Sequence, residues 1–267
     1  MEQVKVVVPI YKVNFSDLEE KVLINNLNVL SAHTIVFVCP NSLDVERINE
    51  IGKSNRLEFE RFDDYYFDGI DGYNILMLSD EFYNRFIDTE YVLICQTDAF
   101  VFRDDLSFWC NKGYDYIGGP WIGSPENKFV NWINGILGKL NLKKNKDRSH
   151  LFKVGNGGFS LRRTSTFYNV VSNNRQIIDS NKGDDRFRIE DLFWSFKAAE
   201  LYPDFKIPYY LEALDFSMDR RPAKAVKLND GRFPFGCHGL NKDNIRTYWE
   251  PIILSKLAEK NKAERHN

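Results

Sequence analysis

The chain has 267 residues, 43% of them hydrophobic and 15% aromatic, enough to bury a sizeable core without disulfide or metal staples. Its 36 Lys and Arg stand against 38 Asp and Glu, a near balance that gives no general case for nucleic acid as a partner. No apolar run approaches the length of a membrane span, and the N-terminal MEQVKVVVPIYK lacks a signal-peptide layout.

Val4 to Ile10 is a near-continuous apolar strand, as in a parallel sheet covered on both faces. Ser16 and Glu19 have capping-box spacing, and Leu18, Val22, Leu23, Leu27 and Leu30 follow them as a helical stripe. Thr34 to Val38 reads as a second strand, broken by Cys39-Pro40-Asn41, and Leu43 to Ile51 as a helix ending near Gly52. Leu57 to Phe62 alternates as a third strand. Asp63 to Gly72 reads as a loop and Tyr73 to Phe86 as a helix. Tyr91 to Cys95 is a short buried strand. The sequence β-α-β-α-β-α-β predicts an α/β fold with a mostly parallel sheet, whose ligands sit beyond the carboxyl ends of the strands.

Those ends carry Pro9-Ile10-Tyr11, Cys39-Pro40-Asn41 and Gln96-Thr97-Asp98. Asp98 lies between the apolar runs Tyr91 to Cys95 and Ala99 to Phe102, where an unpartnered carboxylate is costly. Two readings stand side by side: a ligand to a phosphate-bearing divalent metal, or a turn aspartate bonding its own backbone. No Gly-x-Gly-x-x-Gly follows the first strand, and there is no Walker loop.

After Phe102 the regular alternation fades. Asp104 to Asn111 is a short helix, Asp115-Tyr116-Ile117 a short strand, and Val154 to Arg162 a glycine-rich turn entering a strand. Phe129 to Leu142 is an apolar helix followed by the basic stretch Lys143 to His150. It reads as a core helix with a solvated loop, or as a lid or membrane-surface patch. Ile189 to Leu201 is a helix whose Ile189, Leu192, Phe193 and Phe196 face the core, so that Asp191 and Trp194 project outwards. An acid beside an exposed ring is suited to present a base to a sugar hydroxyl; helix-start capping is the plainer alternative. Glu212 to Ser217 and Arg232 to Gly236 read as strand or loop, and Pro251 to Lys262 as a terminal helix. His238, between Gly236-Cys237 and Gly239, is the one histidine in a site-like frame: a metal ligand, or a structural ring. The four cysteines, Cys39, Cys95, Cys110 and Cys237, have no metal-finger spacing and imply a reducing, cytoplasmic compartment.

Taken in order, VVVPIYK, Gln96-Thr97-Asp98, Asp115 to Trp121, Gly155 to Arg162, Glu190-Asp191 and Gly236 to Gly239 resemble nucleotide-sugar glycosyltransferases of the GT-A fold. The resemblance runs from about Val4 to Trp249 and is nearest to a little-characterised microbial family of that superfold. It implies one domain over 1–267: a nucleotide-binding half at 1–102, a donor-sugar and acceptor half at 103–250 with an insertion at 126–150, and a C-terminal helix at 251–267. It implies transfer of a sugar, UDP-linked, to a glycan or lipid-linked saccharide with inversion, and peripheral contact with the inner membrane face. Pro9, Ile10, Tyr11, Gln96, Thr97, Trp121 and Lys242 would serve the donor, with Gly157 and Gly158 lining the sugar or acceptor. Asp98 and His238 would hold Mn2+ or Mg2+, and Asp191 would be the base, or Glu190 if the register slips by one. The sequence departs from the pattern at Gln96, where many relatives carry an acid, so the site has one charge fewer. A nucleotidyltransferase and a non-catalytic carbohydrate-binding protein are the competing readings.

Overall fold

The computed structural model describes residues 2–52, 56–123, 151–180 and 184–264. Its main sheet has six strands in the order β3-β2-β1-β4-β7-β6. Strands β1 (Glu2–Pro9), β2 (Thr34–Pro40), β3 (Leu57–Phe62) and β4 (Thr89–Cys95) run parallel; β7 (Phe159–Arg163) opposes β4, and β6 (Tyr116–Gly118) opposes β7 and so runs with the first four. The predicted α/β architecture with a mostly parallel central sheet is the one found. β2 and most of β4 are buried throughout because helices cover both faces, which is why their sequences read as apolar runs.

A second sheet of three short strands takes the order β5-β9-β8. β5 (Phe100–Val101) leaves β4 after Gln96-Thr97-Asp98, while β8 (Ser217–Met218) and β9 (Gly236–Cys237) come from the end of the chain. A small apolar cluster around Phe100, Met218, Cys237 and Trp249 sits beneath it, apart from the larger core of the main sheet. Helix α1 (Asp17–Val29) ties the sheets together. Its Asn26 donates to the Ala99 carbonyl at 2.7 Å and accepts from Val101 N at 2.9 Å, and Asn25 donates to the Val101 carbonyl at 2.9 Å. These two asparagines supply β5 with the partners that an edge strand lacks. The predicted capping box starts α1: Ser16 N donates to Glu19 Oε2 at 2.7 Å and Glu19 N to Ser16 Oγ at 3.3 Å.

Several boundaries differ from expectation. The single helix read over Tyr73 to Phe86 is two, α2 (Gly69–Met77) and α3 (Asp80–Asn84), because Ser79 caps a new start by accepting from Phe82 N at 3.1 Å. Glu212 to Ser217 is largely helical, within Tyr210–Phe216. The terminal helix begins earlier, at Asp243, and continues through Pro251 to Glu264. All four cysteines are buried and free. Among the described residues no helix is long and apolar enough to cross a membrane. The apolar and basic segment Phe129 to His150 lies outside the described residues.

Candidate active site

Strand register assembles the site. β9 pairs with β5 antiparallel, Cys237 opposite Phe100, and with β8 parallel, Cys237 opposite Met218. Residues just before β5 and just after β8 and β9 therefore share one edge: Asp98, Asp219 and His238. Leu240 N donates to the Asp98 carbonyl at 3.1 Å and His238 N to the Met218 carbonyl at 3.0 Å, which pins the three turns together.

The His238 ring is flanked on both sides. Its Nε2 lies 3.1 Å from Asp98 Oδ1 and 3.0 Å from Gln96 Oε1. Its Nδ1 lies 3.8 Å from Asp219 Oδ1, which is also 3.8 Å from Lys242 Nζ. Burial opposes charge on the imidazole, yet Asp98 and Asp219 lift its pKa to about 10. Burial would raise Asp98, but His238 and Lys242 together hold its carboxyl below the ordinary value. Asp98 and His238, read from sequence as metal ligands, thus meet, with Gln96 beside them. Among the described residues no set of three or more His, Cys, Asp or Glu side chains is placed to hold a metal. Asp98 Oδ1, His238 Nε2 and Gln96 Oε1 nonetheless converge as two oxygens and an imidazole nitrogen, an incomplete donor set that a divalent cation such as Mn2+ could use with further oxygen ligands.

Gly157 and Gly158 lead into β7 beside this cluster, with Gln96 N donating to the Gly158 carbonyl at 2.9 Å. A Cβ on Gly158 would overlap His238 Nε2 and lie 2.5 Å from Gln96 Oε1; one on Gly157 would overlap Glu190 Oε1. The glycines are there because site side chains already fill the space that a Cβ needs. Asn156, at φ 66°, turns the loop, and its Oδ1 accepts from Gly158 N at 3.3 Å.

The carboxylates Glu190 and Asp191 differ in fate. Glu190 is buried against Arg162, Oε2 to Nη2 at 3.0 Å. Arg162 also donates to Ser160 Oγ at 3.0 Å, Tyr83 Oη at 2.9 Å and the Gly157 carbonyl at 3.2 Å. Burial pushes Glu190 up to about 7 even with Arg162 pulling it down. Held behind Gly157, it braces the loop and is not placed to be the base, the alternative role it was given. Asp191 is half-buried; burial raises its pKa, Asp219 adds to the rise and Arg220 opposes it. It therefore belongs electrostatically to the Asp219 side of the cluster.

Trp194 is the clearest correction. It does not project outwards but is fully buried, stacked on Phe167 at 3.7 Å between ring centroids. The helix read over Ile189 to Leu201 contains a π-helical segment, Phe193–Lys197, and its buried positions are Glu190, Phe193, Trp194 and Ala198. The core face is thus rotated by one residue from Ile189, Leu192, Phe193 and Phe196. Trp121 is also buried, its ring over Gly155, and Ile10 is a core side chain; neither offers its surface to a donor. Tyr11, 66% exposed, Pro9 and Thr97 remain at the rim.

An open cleft of about 510 Å3 runs from Asp98 and Thr97 between the start of α1 and the C-terminal helix, lined also by Asn241, Arg246 and Glu250. Asp191 does not line it. The α1 N-terminus facing the cleft is already capped by Ser16 and neutralised by Asp17, Glu19 and Glu20, so it is not a free anion site. Sequence reasoning missed Asp219 and Arg162. Asp219 directly follows the short strand Ser217–Met218, as Asp98 follows the strand Thr89–Cys95, a weaker signal of the same kind.

The family profile described as "Protein of unknown function (DUF5672)" matches residues 56–238. The chain belongs to the DUF5672 family. That match takes in Asp98, Gly157, Gly158, Glu190, Asp191, Asp219 and His238, so the DUF5672 segment carries the whole cluster except Lys242. No curated protein matches the chain. Among solved structures, this DUF5672 chain is similar to the Mn/GDP form of core-mannan synthase A from Aspergillus fumigatus, at 10% identity and TM-score 0.48, over 76% of this chain and 71% of that one. It is similar to apo glycosyltransferase GlyE from Streptococcus pneumoniae at 12% identity and TM-score 0.49, over 98% and 64%. It is similar to TarS from S. aureus at 14% identity and TM-score 0.38, over 73% and 33%.

Proposed function

We propose that the protein transfers a sugar from a nucleoside-diphosphate sugar, UDP-linked, to a hydroxyl of a glycan or lipid-linked saccharide, with inversion. The observation that carries this reading is the convergence of Asp98, His238 and Gln96 at strand ends, amid buried polar atoms that lack hydrogen-bond partners among the described residues. Asn156 Nδ2, Ser217 Oγ, Asp219 Oδ1 and His238 Nδ1 are all of this kind, and such atoms mark a site that a ligand or water completes. Asp98 and His238, with Gln96, would hold a divalent cation, which when bound supplies charge for a departing diphosphate. Lys242, half-exposed beside Asp219, adds a mobile positive charge for the same phosphates. Asp191, its pKa raised by burial, takes the proton of the acceptor hydroxyl; a raised carboxylate is a better base near neutral pH.

The test is a thermal-shift screen of nucleotide sugars with and without Mn2+, followed by turnover assays of Asp191→Asn. A true donor raises the apparent stability with the logarithm of its concentration. Asp191→Asn should keep donor binding and lose about 100-fold or more in kcat. Full turnover in that variant removes the assignment of the base. Donor binding without turnover by either protein favours a carbohydrate-binding role.

A further inference from the structure

We infer that Asp219 is a positioning residue for His238, holding the Nδ1 side of the ring so that Nε2 points at Asp98 and Gln96. The inference rests on the donor-site reading above, which names Asp219 only as an unpartnered atom and as the neighbour of Lys242, and gives that residue a role. Asp219 is 3% exposed, an acid that burial would disfavour without a task. Its Oδ1 and His238 Nδ1 face each other at 3.8 Å, both buried and both without a hydrogen-bond partner among the described residues. A closure of about 0.9 Å would make an ordinary N–H···O bond of about 2.9 Å.

The placement follows from register. β8 and β9 run parallel with Met218 opposite Cys237, so Asp219 and His238 leave the sheet side by side. Asp98 and Gln96 approach the other ring nitrogen. The ring thus has a carboxylate at the back and an oxygen pair at the front. Were a cation to displace the Nε2 proton that otherwise lies between Asp98 and Gln96, a proton held on Nδ1 by Asp219 would keep the Nε2 lone pair aimed at it and fix the ring plane. Gly239, at φ 90°, lets this happen: a Cβ there would lie 2.7 Å from Asp219 Oδ1.

The experiment measures Mn2+ affinity in the presence of a nucleoside diphosphate, by calorimetry and by the Mn2+ electron paramagnetic resonance signal, on the full chain. Wild type, Asp219→Asn, Asp219→Glu and His238→Gln are compared, with melting temperatures read in parallel. Asp219→Asn should weaken Mn2+ binding about 10- to 100-fold. Asp219→Glu should recover part of the affinity, which a merely structural role would not produce. Asp219→Asn with wild-type affinity, while His238→Gln loses it, overturns the positioning role and leaves the donor-site reading intact. Equal loss in the Asn and Glu variants, tracking a fall in melting temperature, also overturns it. Wild type that binds no Mn2+ with the nucleotide overturns both.

Discussion

Gly158→Ala is the sharpest single perturbation of this site. Its Cβ would lie 2.5 Å from Gln96 Oε1 and 2.6 Å from His238 Cε1, where ordinary contact begins at 3.4 Å. Gln96 Oε1 would need to retreat by about 0.9 Å, the difference between those figures, and the His238 ring, whose Nε2 the new atom overlaps, by more. His238 has Asp219 behind it and Asp98 beside it, so the ring yields only by opening a contact to Asp98 or Gln96. Overpacking of this kind costs about 1–3 kcal/mol. At roughly 2–4 °C per kcal/mol for a chain of this size, the melting temperature falls by roughly 2–12 °C. Mn2+ affinity with a nucleoside diphosphate should fall about tenfold, because a ligand atom is displaced. Gly69→Ala is the control: at φ +70° nothing lies within 4 Å, so strain alone lowers stability and Mn2+ affinity stays at the wild-type value. A Gly158→Ala protein that melts like wild type and binds Mn2+ equally would refute the packing argument.

Two further outcomes follow from the buried ion pair. Arg162→Met leaves Glu190 buried without its partner and should destabilise the fold by about 3–5 kcal/mol; urea unfolding that shows less than about 1 kcal/mol would contradict the pairing. Glu190 also predicts a pH dependence. Its pKa rises from 4.5 to about 7 on folding, so the folded state binds the extra proton between those values. Stability is then full below pH 4.5 and falls by up to ~3 kcal/mol as pH rises through 7. Asp191, raised as well, acts in the same direction; Asp98, lowered, acts below this range, and His238, raised from 6.5 to about 10, adds to the fall only from about pH 6.5 upward. Melts of Glu190→Gln between pH 4.5 and 7 should lose most of the slope; an unchanged slope assigns it elsewhere.

The parallel half of the fold was legible because burial on both faces writes itself as apolar runs, and the runs ending in Ile10, Val38 and Cys95 were read as strands. Asp98 was legible for the opposite reason, as a charge interrupting such a run. Trp194 was not. The buried positions Glu190, Phe193, Trp194 and Ala198 keep helical spacing, so the period holds and only the phase differs: a charged residue, Glu190, takes the core position that apolarity assigns to Ile189. Arg162 escaped notice because a charged residue late in a strand reads as solvent-facing unless its partner is known, and Glu190 lies 28 residues further on. The short strands β8 and β9 are too brief for periodicity to reveal, and with them went the neighbourhood of Asp219 and His238.

That second sheet is what makes one site from residues 98, 219 and 238. With only two residues in each strand, its own ladder has few hydrogen bonds to resist a slip. A slip of one residue would turn every side chain to the other face and separate Asp98 from His238. The resistance comes from α1: Asn25 and Asn26 bond the Ala99 and Val101 backbone and fix β5 against a helix anchored in the main core. Their amides are buried, so each lost bond leaves a polar group unsatisfied at about 1–3 kcal/mol, more than a mere surface contact supplies. β5 in turn aligns β9, and β9 aligns β8. Two asparagines that touch none of the acidic residues thereby hold the relative positions of Asp98, His238 and Asp219.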